Sequence, residues 1–589
     1  MHKIEDYAMI GDCETAALVS RNGSVDWLCW PGFSSPACFA ALLGAPSNGR
    51  WQLAPQDKHT VFTRRYRPRT LILETTMETP AGSVLVTDFM PIRGRRSDLV
   101  RIVHCTAGVL KMHSELCLRF DYGSTIPWIR FEASARGDSA WVTTAGPNLT
   151  VLRSASLVKE SDPGTLSAEF TMTAGEIQTF VLTYGCSYEA LPDPIDVDQA
   201  LQQTDHFWTT WVSRNKYQGP YSAAVERSLI TLKAMTYRPS GGIVAAPTMS
   251  LPERIGGPLN WDYRYCWLRD ATFTLSALIE CGYSEEVIAW KQWLLRAVGR
   301  GASQVQIMYG IGGERHIADW EVAWLPGYEN SVPVRVGNAA QHQNQQDIFG
   351  EIAVALAHAR SAGVPCRQEE LELQQELTEY LVKTWREPGS GMWESRDEPQ
   401  RYTYSSVMAW VALDRGVESI EHHGMAGPLA EWKDLRDKIH ADVCKHGFDT
   451  HLNSFVQHYG SKALDASELL LLVVGFLPAN DPRALGTVKA IEQALLKDGF
   501  LLRNLPKSKK AQQGAFLACS FWLVENYVLT GRIEDARNLF ERVLAVSNDV
   551  GLLSEEYDTT EKRLTGNFPQ AFSHIALVRA AMRLAGYQQ

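Results

Sequence analysis

Alternation governs the first third of the chain. Thr70–Met77 (TLILETTM) and Ser83–Phe89 (SVLVTDF) are alternating runs on either side of Pro80-Ala81-Gly82, a pattern that predicts a β-hairpin. Further short runs follow at Leu99–Thr106, Ser114–Phe120, Ala140–Thr144, Leu149–Arg153, Leu166–Met172 and Ile177–Tyr184, punctuated by Gly, Pro, Asn and Asp. Many short strands at regular spacing predict an antiparallel sandwich over residues 1–194 rather than a βαβ sheet. Asp26–Pro31 (DWLCWP) lies in a stretch too rich in Gly and Pro to be helical.

The period changes after Pro192-Asp193-Pro194. Ala200–Arg214 reads as a helical linker within 195–220. From Tyr221 to the end, twelve helical windows follow: Ala223–Tyr237, Trp267–Cys281, Ser284–Val298, Gln346–Ala362, Glu369–Trp385, Tyr404–Arg415, Pro428–Cys444, Ser461–Val474, Pro482–Lys497, Gly514–Leu529, Ile533–Val546 and Pro569–Ala585. Twelve helices joined by alternating short and long connections fit six hairpins closed in a ring, an (α/α)6 toroid over 221–589. Its long loops are expected to gather at one end, and a site is expected among them.

Composition narrows the function. With 57 basic and 67 acidic residues the net charge is −10, which argues against a nucleic-acid binder. Eleven cysteines without a CxxC pair read as reduced thiols. The N-terminus has no apolar h-region, and the longest apolar run, Leu469–Ala479, is too short for a membrane span of roughly 20 residues. A soluble, cytoplasmic protein is expected, and a homo-oligomer is compatible with the sequence. Walker, dinucleotide, HExxH and GxSxG patterns are absent, so no cofactor or metal is expected. His422-His423 lacks a carboxylate or Cys to complete a ligand set, and Lys507–Lys510 (KSKK) reads as a solvated loop.

What stands out is acid beside aromatic on long loops. Trp261–Asp270 (WDYRYCWLRD) leads into a helix, Gly391–Arg396 (GMWESR) lies between two, Gly551–Asp558 (GLLSEEYD) comes late, and Asn567–Phe572 (NFPQAF) opens the last helix. Taken singly, Arg269 and Asp270 fit a charge pair in a first helical turn and Glu394 a surface acid. Taken together, as aromatic–acid clusters at the loop ends of one helical toroid, they point to a functional site there.

These segments, with Ile4–Gly44, QIMYG (Gln306–Gly310), PVRVGNAA (Pro333–Ala340) and GNFPQAFSHIAL (Gly566–Leu577), occur in the order of glycoside hydrolase family 15, the family of glucoamylases, glucodextranases and prokaryotic trehalases, and the chain resembles that family over nearly its whole length. The resemblance implies an N-terminal β-sandwich on an (α/α)6 barrel and hydrolysis with inversion. Inversion needs two carboxyl groups about 6.5–9.5 Å apart, one protonating the leaving oxygen and one activating water on the opposite face. By resemblance, Glu394 is the general acid and Glu555 the general base, with Glu556 its rival. Glu394 is expected to be protonated through packing against Trp393 and Trp410, and Glu555 to be hydrogen-bonded and partly wet. Arg269 and Asp270 match the pair that binds the non-reducing glucose, and Trp261, Tyr309 and Trp393 are expected walls of that subsite. Arg503 matches another sugar-binding Arg. After it, Asn504–Gln513 lacks the family's Asp-Gly and Glu-Gly elements, which implies a remodelled loop.

The substrate expected is a small α-glucoside, trehalose ahead of malto- or isomalto-oligosaccharides, because the N-terminal module is trehalase-like. Two other classes stay open: a glycoside phosphorylase, which would lack the base, and an inactive carbohydrate-binding protein. Trp27, Trp30, Phe33 and Phe39 either close the outer subsite or fill the interface between the two modules.

Overall fold

The computed structural model describes residues 2–133, 139–505 and 513–586. The KSKK run, and most of the 504–513 loop read above as remodelled, fall outside the described residues.

Fifteen antiparallel strands between Tyr7 and Cys186 build the N-terminal unit. The predicted hairpin is present as Leu73–Thr79 against Gly82–Phe89. Leu99–Thr106 and Ser114–Phe120, read as separate strands, are parts of one 21-residue strand, Ser97–Cys117. Its first half pairs with Gly82–Phe89 and Ile177–Cys186. Its second half pairs with Arg50–Pro55 and Thr165–Thr173. The strand thus belongs to both layers, and the crossing falls at Gly108. There φ is +72° and an added Cβ would lie 2.0 Å from the Ala81 carbonyl oxygen, so no side chain fits.

Helix Val197–Val212, capped by Asp196, leads into the barrel. Six helical segments form the inner ring: Leu268–Glu280, Asp347–Ser361, Thr403–His423, Ala466–Val473, Leu517–Leu529 and Ala571–Gly586, each packing on the next and the last on the first. Ser222–Ala234, Ser284–Val298, Gln368–Thr384, Leu429–His446, Pro482–Leu495 and Ile533–Leu544 lie outside them. This is the (α/α)6 arrangement. The expected Ser461–Val474 helix is only a 3-10 turn, Ala466–Leu469, running into one α turn, Leu470–Val473. Asp465 caps it by accepting from the Ser467 amide, and the residues before it pair with Gln457 instead. The helix expected over Tyr404–Arg415 runs on to His423, placing His422 and His423 in its exposed last turn.

The sandwich and the barrel are joined by hydrogen bonds and an ion pair. Trp27 donates to the Pro247 carbonyl, Asn548 to the carbonyls of Glu5 and Tyr7, and Arg64 pairs with Asp549. Trp27, Trp30, Phe33 and Phe39 are all buried. Trp30 points into the sandwich, donating to Ser97 and packing on Tyr184, while Phe33 meets Tyr237 of the barrel. Of the four, Trp27 and Phe33 reach the barrel and Trp30 packs within the sandwich. No helix among the described residues is long and apolar enough to cross a membrane.

Candidate active site

The N-termini of the inner helices point to one end of the barrel, and the loops that precede them carry the candidate residues. Helix N-termini carry partial positive charge, so this end suits carboxylates.

The extended segment before Leu268–Glu280 organises the site. Trp261, Tyr263 and Trp267 each donate to a different carboxylate. Trp261 Nε1 reaches Glu253 at 2.9 Å, Tyr263 Oη reaches Glu555 Oε1 at 2.7 Å, and Trp267 Nε1 reaches Glu394 Oε1 at 2.7 Å. The Tyr263 and Trp267 rings meet edge to face with centroids 5.4 Å apart. Residues 161 positions apart in sequence are thereby held on neighbouring rings of one segment.

Glu394 sits at φ +58°, a left-handed conformation that a non-glycine residue adopts only under constraint. Its amide donates to Gly391 O and its carbonyl accepts from Gln343. Burial pushes its carboxyl up from the ordinary range, against the pull of Arg269, 3.6 Å away, and of the Trp267 hydrogen bond. Trp410, expected against this carboxyl, packs instead on His440 and Phe476; the ring that touches the carboxylate is Trp267, whose hydrogen bond works against the rise.

Glu555 is 1% exposed, not partly wet. Burial, then the neighbouring Glu253, raises its pKa to about 8, opposed by Arg503 and Tyr263. Its Oε2 has no protein partner among the described residues. Room for it comes from Gly566, at φ +75°, where an added Cβ would lie 2.6 Å from Glu555 Oε2. Glu556 pairs with Arg503 at 3.0 Å.

Arg269 bonds Asp270 at 3.0 Å and donates to the Met392 carbonyl, tying the helix start to the Glu394 loop. Asp270 is buried, and its Oδ2 is the oxygen that pairs with Arg269. Trp393 donates to Asp465 at 2.8 Å and packs on Phe516 and Trp522. Arg503 lies over Phe516 and Trp393 and pairs with Glu253 at 2.6 Å. Arg396 and Arg335 stack on Trp261 at 4.2 and 5.6 Å. Deeper in the ring, Asp347, Glu351 and Glu468 are buried acids whose pKa values burial raises.

Tyr309 is placed differently from the expectation. It is fully buried, meets Trp293 edge to face, and its hydroxyl accepts from the Gln306 amide. Its contribution is through the backbone. Met308-Tyr309 pairs with Cys266-Trp267 and so fixes the residue that donates to Glu394. Tyr263, Trp267 and Glu253 were not singled out from the sequence.

Comparison with known proteins supplies the family. The family model "Glycosyl hydrolases family 15" matches residues 219–582, and the model "Trehalase-like, N-terminal" matches 1–199. The chain belongs to glycosyl hydrolase family 15. It is therefore a glycoside hydrolase. It is 36% identical to a trehalase of Mycobacterium tuberculosis, over 99% of this chain and 89% of that one. It is 34% identical to a trehalase of Thermoplasma acidophilum, over 96% and 98%. Among solved structures, a bacterial glucoamylase complexed with acarbose superposes with a TM-score of 0.73 at 12% identity, covering 100% of this chain and 94% of that one. At that identity the likeness speaks for the fold alone.

Proposed function

We propose that this family 15 hydrolase cleaves a terminal α-glucosyl bond with inversion, releasing β-glucose, and that trehalose is its preferred substrate. The observation that carries the reading is the pair of adjacent rings, Tyr263 and Trp267, holding Glu555 and Glu394 beside the Arg269–Asp270 pair. Asp270 and Arg269 accept from and donate to hydroxyls of the non-reducing glucose and fix its ring. Glu394, kept protonated by burial, gives its proton to the glycosidic oxygen as the anomeric carbon–oxygen bond breaks. Water attacks the opposite face of that carbon, and Glu555, once ionised, takes the water's proton. Glu555 suits the base better than Glu556, because Glu556 is engaged with Arg503. Trp261, Trp393 and Arg503 form the outer wall. Every one of these groups comes from a single chain.

Trehalose is favoured because relatives called trehalases match over nearly the whole length, the N-terminal module included. A cytoplasmic setting fits a disaccharide substrate. Retention of a carboxylate at Glu555 speaks against a phosphorylase. Glucose release from trehalose, maltose, isomaltose and soluble starch, measured side by side, ranks the substrates, and release confined to malto-oligosaccharides overturns the preference. Glu394→Gln and Glu555→Gln are each expected to lower kcat by several orders of magnitude with the fold intact. Near-wild-type turnover by either variant reassigns that residue. Initial formation of α-glucose, read by NMR, refutes inversion.

A further inference from the structure

One guanidinium serves three carboxylates at the outer wall. Arg503 pairs with Glu253 and Glu556, and Glu555 lies within electrostatic reach. Glu253 is the least expected of the three. It follows the short strand Met249–Pro252, is 3% exposed, and is remote in sequence from both catalytic candidates. Its two oxygens are used separately. Oε1 accepts from Trp261 Nε1 at 2.9 Å and Oε2 from Arg503 Nη2 at 2.6 Å. Its amide donates to Leu259 O at 3.1 Å, which fixes the turn that carries it. One side chain therefore links Trp261, two residues before the tyrosine that holds Glu555, to the arginine that faces Glu555 from the opposite loop.

Resting on the hydrolase reading above, we propose that Glu253 is a positioning residue: its carboxylate fixes Trp261 and Arg503 relative to Glu555 and sets the local charge against which Glu555 ionises. The groups facing Glu555 are Glu253, Arg503 and the adjacent Glu556 on one side and Tyr263 on the other, with Glu394 beyond Tyr263. Among these the carboxylates outnumber the single cation, so Glu253 works against ionisation of Glu555 while its anchoring of Arg503 works for it. Burial in this low-dielectric pocket gives both effects weight.

The test uses the full chain with Glu253→Gln, Glu253→Asp and Glu253→Ala, and reads kcat/KM on trehalose from pH 5 to 9, with KM and kcat separated. Glu253→Gln removes the charge and keeps one acceptor, and its acidic limb should move to lower pH by about one unit. Glu253→Asp keeps the charge and shortens the reach, so its limb should stay while KM rises. Glu253→Ala takes the acceptor from Trp261 Nε1 and leaves Arg503 held only from the side of Glu556 and Gln513, and should raise KM at least tenfold. Unmoved limbs with wild-type KM in Gln and Ala overturn the proposal, as does a limb that moves equally in Gln and Asp. A fall in melting temperature alone, with limb and KM unchanged, reduces Glu253 to a packing role and overturns it too. The substrate reading fails separately, if the wild type releases no glucose from any α-glucoside. In that event glucose affinity, read by tryptophan fluorescence, still decides: a tenfold loss in Glu253→Ala sustains the frame, and equal affinity refutes it.

Discussion

Replacing Arg264 by Met should damage stability and catalysis together. The guanidinium is fully buried between sandwich and barrel. It bonds Asp262 at 2.7 and 2.9 Å, and it donates across the interface to Ser35 O at 2.8 Å and Tyr122 Oη at 3.0 Å. Met keeps much of the apolar volume but leaves Asp262 as a buried charge with only the amides of Arg264 and Gly337 as donors. Stranding one partner of a buried pair costs about 3–5 kcal/mol. An unfolding entropy of about 2.1 cal/mol/K per residue gives about 1.2 kcal/mol/K for 589 residues, so the melting temperature should fall by about 2–4 °C. Residue 263, the donor to Glu555, lies between the two partners in sequence, so loss of the pair loosens the base. A displacement on the order of 1 Å costs up to about a hundredfold, and kcat should drop between ten- and a hundredfold. Scanning fluorimetry at one fixed heating rate and initial glucose-release rates read the two effects. The double variant Asp262→Asn/Arg264→Met removes the stranded charge and should regain much of the melting temperature without regaining kcat. A single variant that melts within about 1 °C of wild type and keeps its kcat refutes the coupling of sandwich to site.

Tyr263→Phe removes the side-chain donor to Glu555 Oε1. A hydrogen bond to a charged group is worth about 1.5–3 kcal/mol, so kcat should fall roughly ten- to a hundredfold. Because the lost bond favoured the ionised base, the acidic limb of kcat/KM should also move to higher pH, and an unmoved limb would mean that Glu555 is not the base. Gly566→Ala drives a Cβ into Glu555 from a residue at φ +75° and should cost activity more than fold. Wild-type kcat in that variant, by the same glucose assay, would show that the base has room to spare.

Much of the architecture was legible because it is local. Hairpin and helix periods place most of the elements they predict within a residue or two, as at Ser284–Val298, where pattern and structure agree at both ends, while strands such as Tyr7–Gly11 and Arg50–Pro55 were not predicted. The misreadings have physical causes. Gly108 looks like a turn between two strands, yet it is the point where one strand changes layers. The helix expected over Ser461–Val474 ends where the pattern puts it, but Asp465 caps it late, so its first turn is missing. In the site, acids were easier to read than the groups that hold them. Tyr263 and Glu555 are 292 residues apart, and no spacing rule links them. A usable signal was present: Trp261, Tyr263, Tyr265 and Trp267 fall at every second position, the period of an extended segment that sends alternate side chains to one face. Three of those four rings donate to carboxylates. Tyr309 misled because its motif lies beside the site while its ring turns away.

The buried acids that make the site also set its stability against its activity. Asp270, Asp347, Glu351, Glu394, Glu468, Glu555 and Glu556 all have pKa values raised by burial in the folded state. Unfolded, such groups titrate near pH 4. Above that pH the folded chain binds more protons than the unfolded one, so the stability these groups contribute is complete below about pH 4 and is lost as pH rises through their folded values. His574 and His358 act in the opposite sense. Burial lowers both, His574 to about 3, so their contribution is present above about pH 6.5 and is lost as pH falls. Seven carboxyls outweigh two imidazoles, so the melting temperature should be highest below about pH 6 and decline toward pH 8. Over the same interval ionisation of Glu555 should raise kcat/KM. Glu468→Gln offers a way to separate the trends. Glu468 is fully buried with neither oxygen hydrogen-bonded among the described residues, and it is not one of the groups proposed to contact the sugar. An amide there should flatten the alkaline decline in melting temperature and leave the acidic limb of kcat/KM where it was. A wild-type melting temperature that rises from pH 6 to 8 would show that these carboxyls are ionised in the folded protein, and the account of Glu394 as a burial-protonated acid would fall with it.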